Sequence, residues 1–382
     1  MSVYLDYNAS APIDSRVLDK MVDVYRNHVG NADSRTHTFG DDARDITEVA
    51  RSQVAKLLGV QKGEVFFTSG ATESNNIAVL GLQKYGMESG KKHIITSAIE
   101  HKAVLEAAKH LEELGFELDV VMPQEDGRVS VEDVLSRVRQ DTLLVSIMHV
   151  NNETGVIQPV KEIGEALKKS KTLFHIDATQ SCGKLVAEIQ ELQYDMMSVS
   201  AHKMHGPQGV GALILKKKRY ALPPITPIMF GGPQEHGIRP GTLPTALIAG
   251  FGFACELALA EYKEKFQVAD QIKKSLIDAI EKSGVPYVIN GDVENSVPTT
   301  LNVSFLGVSS EALMLSTKQF CGISNGSACT SSNYSHSHVL SSMKLSEERI
   351  ESAVRISWDA DADQNSVITN FNQMLHTASQ MI

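Results

Sequence analysis

At 382 residues the chain is longer than a single core usually needs, so a large and a small domain are expected. Apolar residues make up 42% and charged residues 21%, which excludes a disordered tail or linker and fits a packed enzyme. Lys plus Arg total 36 against 46 Asp plus Glu, and the net charge of −10 argues against a strong generic grip on nucleic acid.

The N-terminus, MSVYLDYNASAP, reads as a strand running into a turn, without the basic and apolar regions of a signal peptide. No apolar run is expected to approach the roughly 20 residues that span a bilayer. A cytoplasmic protein follows, with its cysteines reduced. Short apolar runs then alternate with amphipathic stretches, the pattern of a mostly parallel sheet covered on both faces. The predicted strands are 65–68, 93–97, 117–121, 143–149, 173–177, 196–200 and 211–215, with helices such as 130–139 and 160–169 between them. A Pro- and Gly-rich stretch at 223–244 breaks the alternation, and helices 247–265 and 268–283 follow. Beyond them lie a strand at 301–305, a helix at 311–319, and a polar loop at about 324–337. A helix starting after Ser346, a strand at 354–357 and a final helix complete this α+β portion. Residues 13–250 form the expected large domain, and 1–12 with 251–382 the small one.

Functional groups in an open α/β sheet collect where strands end. After strand 65–68, Ser69-Gly70-Ala71-Thr72 opens a helix whose free N–H groups and Thr72 hydroxyl suit a phosphate, although a simple cap is the alternative. Strand 173–177 ends in Asp177, followed by Ala178-Thr179-Gln180. That carboxylate can pair with a protonated ring nitrogen and Gln180 can reach a ring oxygen; a helix cap is again the plain alternative. Strand 196–200 runs into Ala201-His202-Lys203, where Ser200 and His202 flank the lysine. A phosphate cup, a strand-end Asp and a strand-end Lys, in that order, are the three anchors of pyridoxal phosphate. His101, after strand 93–97, can stack on the ring or move protons, or be a satisfied surface histidine.

Cys182, Cys255 and Cys321 sit in apolar settings typical of structural thiols, whereas Cys329 lies among Ser and Gly. No spacing suggests a zinc site, and no metal is expected.

The motifs FTSGATESNN (67–76), HVNNETG (149–155), HIDATQS (175–181), SAHKMHGPQGVGAL (200–213), RPGTLP (239–244) and GSACTS (326–331) occur in order along the chain. Tyr4-Leu5-Asp6-Tyr7, Gly30-Asn31, Ser34-Arg35-Thr36-His37 and Glu100-His101-Lys102 accompany them. Together they resemble the cysteine desulfurases, pyridoxal-phosphate sulfurtransferases of the aspartate-aminotransferase type, fold type I.

That resemblance implies Lys203 as the Schiff-base lysine, His101 as the stacking and proton-transfer residue, Asp177 on the pyridine nitrogen and Gln180 on the ring hydroxyl. Ala71, Thr72, Ser200 and His202 would hold the phosphate, with Asn152 beside cofactor and substrate. Thr242 would reach the cofactor of a second subunit in a homodimer. Arg355 would clamp the L-cysteine carboxylate, an apt use of its planar fork. Cys329 would attack the substrate sulfur, releasing L-alanine, and pass its persulfide to an acceptor protein. Ala32, Pro240 and Trp358-Asp359 depart from the commonest family pattern. The change at Trp358-Asp359 is similar to the desulfurases that supply sulfur for DNA phosphorothioation, with iron–sulfur cluster assembly the other destination and no direct specific nucleic-acid binding implied. A selenocysteine lyase or an aminotransferase on the same fold is the alternative enzyme. A non-catalytic cofactor-binding regulator is the alternative of another class.

Overall fold

The computed structural model describes residues 2–325 and 336–382. Its strands, in chain order, are β1 (Val3–Tyr4), β2 (Val65–Thr68), β3 (His93–Ser97), β4 (Glu117–Val121), β5 (Thr142–Met148) and β6 (Leu173–Asp177). They continue with β7 (Met196–Ser200), β8 (Gly211–Leu215), β9 (Tyr287–Ile289), β10 (Thr300–Phe305), β11 (Cys321–Gly322) and β12 (Ala353–Ser357). The predicted seven-stranded sheet is present, in the order β2-β8-β7-β6-β5-β3-β4. Only β8 runs antiparallel to its neighbours, β2 and β7. The central strands β5 to β8 are buried along their whole length, apart from the half-buried Leu173. Two covered faces explain why they read as mostly apolar runs, interrupted inside by the buried Ser146, His175 and Ser198, in place of an alternating pattern.

A second sheet, β12-β10-β9, is antiparallel, and β1 pairs with β11 in a parallel two-stranded piece. β9, three residues long and half-buried along its length, gave no apolar run to find. Helix Glu347–Glu351 begins as expected: the Ser346 side chain accepts from the Arg349 N–H, and Glu347 and Glu348 occupy the first turn.

The two helices expected at 247–265 and 268–283 are one, Thr245–Ser283, 39 residues long. No Gly or Pro lies between Gly252 and Gly284, so nothing breaks it. Its apolar face changes partners along the way. Ile248, Phe251 and Cys255 pack into the core of the large sheet, whereas Ala269, Ile272, Leu276 and Ile280 pack into the core beneath the small one. That change of partner imitated a break in the periodicity. By length and composition alone this helix is apolar enough to cross a membrane, a test that the core helix of a folded protein also passes. Here its first half packs on helices Ser15–Asn27 and Thr38–Leu58.

Candidate active site

A cavity of about 660 Å³ opens where the C-terminal ends of β5, β6 and β7 meet the N-terminal segment and β12. Ala71, Thr72, His101, Asn152, Asp177, Gln180, Ser200, His202, Lys203 and Arg355 all line it. Thr242 does not line it and is exposed, and Cys329 lies outside the described residues.

One wall of the cavity is the turn after β2 and the first turn of helix Ala71–Leu80. The first N–H groups of a helix have no acceptor within it, so they can face an anion. The turn lies close against β8 because residue 211 is glycine. A Cβ there would stand 2.5 Å from the Val199 carbonyl oxygen and 2.8 Å from Gly70 Cα. Arg239, from the RPGTLP segment, bonds Glu73 at 2.9 Å, and Glu73 in turn accepts the Ser69 N–H.

At the end of β6, Asp177 Oδ2 accepts from Asn75 Nδ2 at 2.8 Å, while Oδ1 accepts from the Thr179 N–H at 3.0 Å. His175, in the same strand, is fully buried between the hydroxyls of Ser146 and Ser198, and burial pushes its pKa down. The imidazole of His101 caps helix Lys102–Glu113, its Nδ1 accepting the Ala103 N–H at 3.1 Å. Its proton therefore sits on Nε2. Burial lowers the His101 pKa, with Lys203 and His338 adding to this against the pull of Asp177, so the ring is neutral at pH 7. His202 follows the same logic: burial, then the Lys203 charge, lowers its pKa to about 4.

The Lys203 ammonium donates to the carbonyls of Asn8 at 2.5 Å and Ala9 at 2.6 Å. Asn8 is a hub that sequence reasoning passed over. Its carbonyl also accepts from Gln180 Nε2 at 3.0 Å, and its side chain donates to the Asn152 carbonyl at 3.1 Å and Thr300 Oγ1 at 2.9 Å. Arg355 reaches the same place from β12. Its Nη2 bonds Asp6 Oδ1 at 2.6 Å and its Nη1 the Asn152 carbonyl at 3.1 Å, leaving a buried Nε without a partner. Asp6 and Asn75 were also missed. Both lie inside recognised motifs, but their partners are far away in the chain.

Glu153 lines the cavity too, with its carboxyl buried and its pKa raised by that burial. It accepts from the Ser337 hydroxyl at 2.5 Å, and Ser337 caps the helix that follows. On the other side of the undescribed residues, the backbone of Ser324 is bonded to that of Arg355. The chain on both sides of 326–335 is thus tied down beside the cavity.

The aminotransferase class-V family model matches residues 3–368. The cysteine desulfurase IscS of Vibrio vulnificus is 42% identical over 360 residues, which cover 94% of this chain and 88% of that one. The chain belongs to the cysteine desulfurases. A NifS-like protein of known structure superposes on the desulfurase with a TM-score of 0.91 at 37% identity, covering all of both chains. DndA from Streptomyces lividans does so with a TM-score of 0.81 at 43% identity, over 91% of this chain and 96% of that one. The fold is that of the class-V aminotransferases, as expected, and the cofactor of the desulfurase is pyridoxal phosphate.

The cavity fits that group. Gln180 Oε1 is buried in its wall without a partner, Asp177 offers a carboxylate for a ring nitrogen, and Lys203 offers an amine. His101 and His202 beside them, both with lowered pKa, add no competing charge.

Proposed function

We propose that Lys203 carries the pyridoxal phosphate of this cysteine desulfurase and that Cys329 takes the sulfur. The convergence of Lys203, Asp177, Gln180, His101 and Arg355 on one cavity supports the reading most strongly. When bound, pyridoxal phosphate supplies an electron sink for a carbanion at the substrate α-carbon. Asp177 holds the ring nitrogen, Gln180 the ring hydroxyl, and Ala71, Thr72, Ser200 and His202 the phosphate. Asn152 lies beside ring and substrate.

Arg355 receives the cysteine carboxylate, with Asp6 fixing the guanidinium from behind. Lys203 would hold the cofactor through its side-chain amine and, when that amine is free, would serve as a base for the proton at the substrate α-carbon. His101, neutral with its proton on Nε2, passes protons at the same place. The Cys329 thiolate attacks the substrate sulfur, the Cβ–S bond breaks, and its electron pair is protonated to the methyl group of L-alanine. The sulfur stays on Cys329 as a persulfide and leaves to an acceptor protein.

The three cysteines among the described residues are all buried. Burial raises the thiol pKa of Cys182 and Cys321 to about 12 and that of Cys255 well above its usual value. At about 12, roughly one thiol in 10⁵ is thiolate at pH 7, far too few for a nucleophile.

The reading extends to a homodimer in which the exposed Thr242 serves the partner's cofactor phosphate. It places the enzyme in the cytoplasm, and divides the chain into a large domain (13–250) and a small one (1–12 and 251–382). Trp358 and Asp359 favour an acceptor in DNA phosphorothioation over a cluster-assembly scaffold. Two variants test the central roles. Lys203→Ala should lose the visible absorbance of bound pyridoxal phosphate, and Cys329→Ser should keep it while losing sulfide and alanine release from L-cysteine. Full desulfurase activity in Cys329→Ser would overturn the nucleophile assignment.

A further inference from the structure

The departure at Trp358-Asp359 has a structural counterpart at His205, two residues past Lys203. Trp358 is fully buried in the small-sheet core and its indole N–H donates to the Ala269 carbonyl at 3.1 Å. Asp359, next in the chain, turns the other way. Its Oδ2 lies 2.9 Å from His205 Nε2, and the Pro12 carbonyl lies 2.9 Å from His205 Nδ1. Both partners of the ion pair are buried, each 8% exposed. A carbonyl and a carboxylate are acceptors only, so the ring satisfies both when both nitrogens carry protons. Two facing acceptors therefore select the imidazolium.

The surrounding charges agree. Burial alone pushes the His205 pKa down, but the hydrogen bond and charge of Asp359, with Asp361 adding, outweigh it and raise the value. Lys265 opposes weakly, and the Tyr7 ring packs edge-on with centroids 6.1 Å apart. On the other side, His205 and Lys184 hold the Asp359 carboxyl below its usual range, although burial pulls it up. Asp14, whose N–H donates to the His205 carbonyl at 3.0 Å, lines a second, small cavity together with His205 and Asp359.

His205 joins three segments. The Lys203 turn carries it; residues 5–14 bond to β12 through the Ser357 backbone and hydroxyl, and to the turn through Lys203, His202 and His205. Asp359 extends from the end of the strand that bears Arg355. The backbone of His205 is itself left-handed, φ 62°, a conformation that needs surrounding support.

We propose that His205 is a positioning residue: donating from both ring nitrogens to Pro12 and Asp359, it fixes the Lys203 turn against the Arg355 strand and so sets the fit of L-cysteine. The proposal rests on Lys203 and Arg355 having the roles given above. Asp359→Asn keeps the size and removes the charge, and His205→Gln removes the second donor. Each should raise KM for L-cysteine about tenfold with kcat within about twofold, and the double variant should be no worse than either single one. In the wild type, KM should rise as pH climbs through the raised pKa of His205, and this component should vanish in Asp359→Asn. In the whole protein, the ring-proton resonance absent from His205→Gln should titrate above the ordinary histidine value in NMR spectra.

Unchanged KM in both single variants, additive effects in the double, or a His205 ring titrating at or below the ordinary value would each overturn the proposal. A lower Tm with KM unmoved would mean a structural role only, and would overturn it too. Arg355→Ala separates the two levels. If that variant raises KM and Asp359→Asn does not, the positioning role fails and the clamp stands; if Arg355→Ala leaves KM unchanged, the clamp itself fails.

Discussion

Glu100 shows how much the environment of a single side chain decides. It is fully buried beside His101; Oε1 accepts from the Ser97 hydroxyl and the Met148 N–H, and Oε2 has no partner. Burial raises its pKa from 4.5 to about 8, so at neutral pH the side chain is mostly the protonated acid. A folded pKa above the unfolded one means that the folded chain holds a proton the unfolded chain has lost. The stability this group contributes is therefore full below pH 4.5 and is lost as pH rises through about 8. Glu100→Gln mimics the protonated acid at every pH. Thermal melts from pH 5 to pH 9 should show the variant gaining on the wild type as pH rises, and a constant difference would contradict the assignment. At this scale the sequence pointed to His101 and Lys203 because both follow strand ends, and both line the cavity. It could not reveal Asn8 or Asp6, whose importance comes from Gln180, Lys203 and Arg355 folding onto them from across the chain.

Elements place these groups through a few close approaches. The turn at Ser69-Gly70 reaches β8 only because residue 211 lacks a side chain. Gly211→Ala would set a Cβ against backbone atoms on two sides, and neither can rotate away. The expected result is a displaced helix start, seen as pyridoxal phosphate binding at least about tenfold weaker, with Tm lowered by a few degrees. Equilibrium dialysis against the cofactor and a melt of the cofactor-free protein would separate the two effects. Most strands of the large sheet were legible because burial on both faces leaves a mostly apolar run, whereas the edge strand β4 is buried only at Val121. Their ends agreed to within a residue. Helix Thr245–Ser283 was not legible as one piece, because its two halves belong to different cores and its apolar stripe shifts between them. β9 and β11 were too short to leave a pattern.

Across the whole molecule, the cavity is closed by segments that lie at opposite ends of the chain. Residues 4–14 thread between the Lys203 turn and β12, and the ion pair of Arg355 with Asp6 spans 349 positions. Motif order implied that these parts meet, but the pairing itself is a property of the fold. The exposed Thr242, outside the cavity of its own chain, gains a function only in the proposed homodimer. Light scattering on the purified enzyme should give twice the chain mass of 41.6 kDa, and Thr242→Ala should retain that mass while releasing cofactor more readily. A monomer with full activity would exclude the shared site.

The most direct test of the account follows the sulfur atom. The enzyme, loaded with pyridoxal phosphate, is given one equivalent of L-cysteine without an acceptor, the thiols are trapped by alkylation, and the peptides are weighed. The account predicts one added sulfur on the peptide bearing Cys329, matched by one alanine released per chain. Added sulfur on Cys182, Cys255 or Cys321 instead, or alanine released with no persulfide on Cys329, would contradict it.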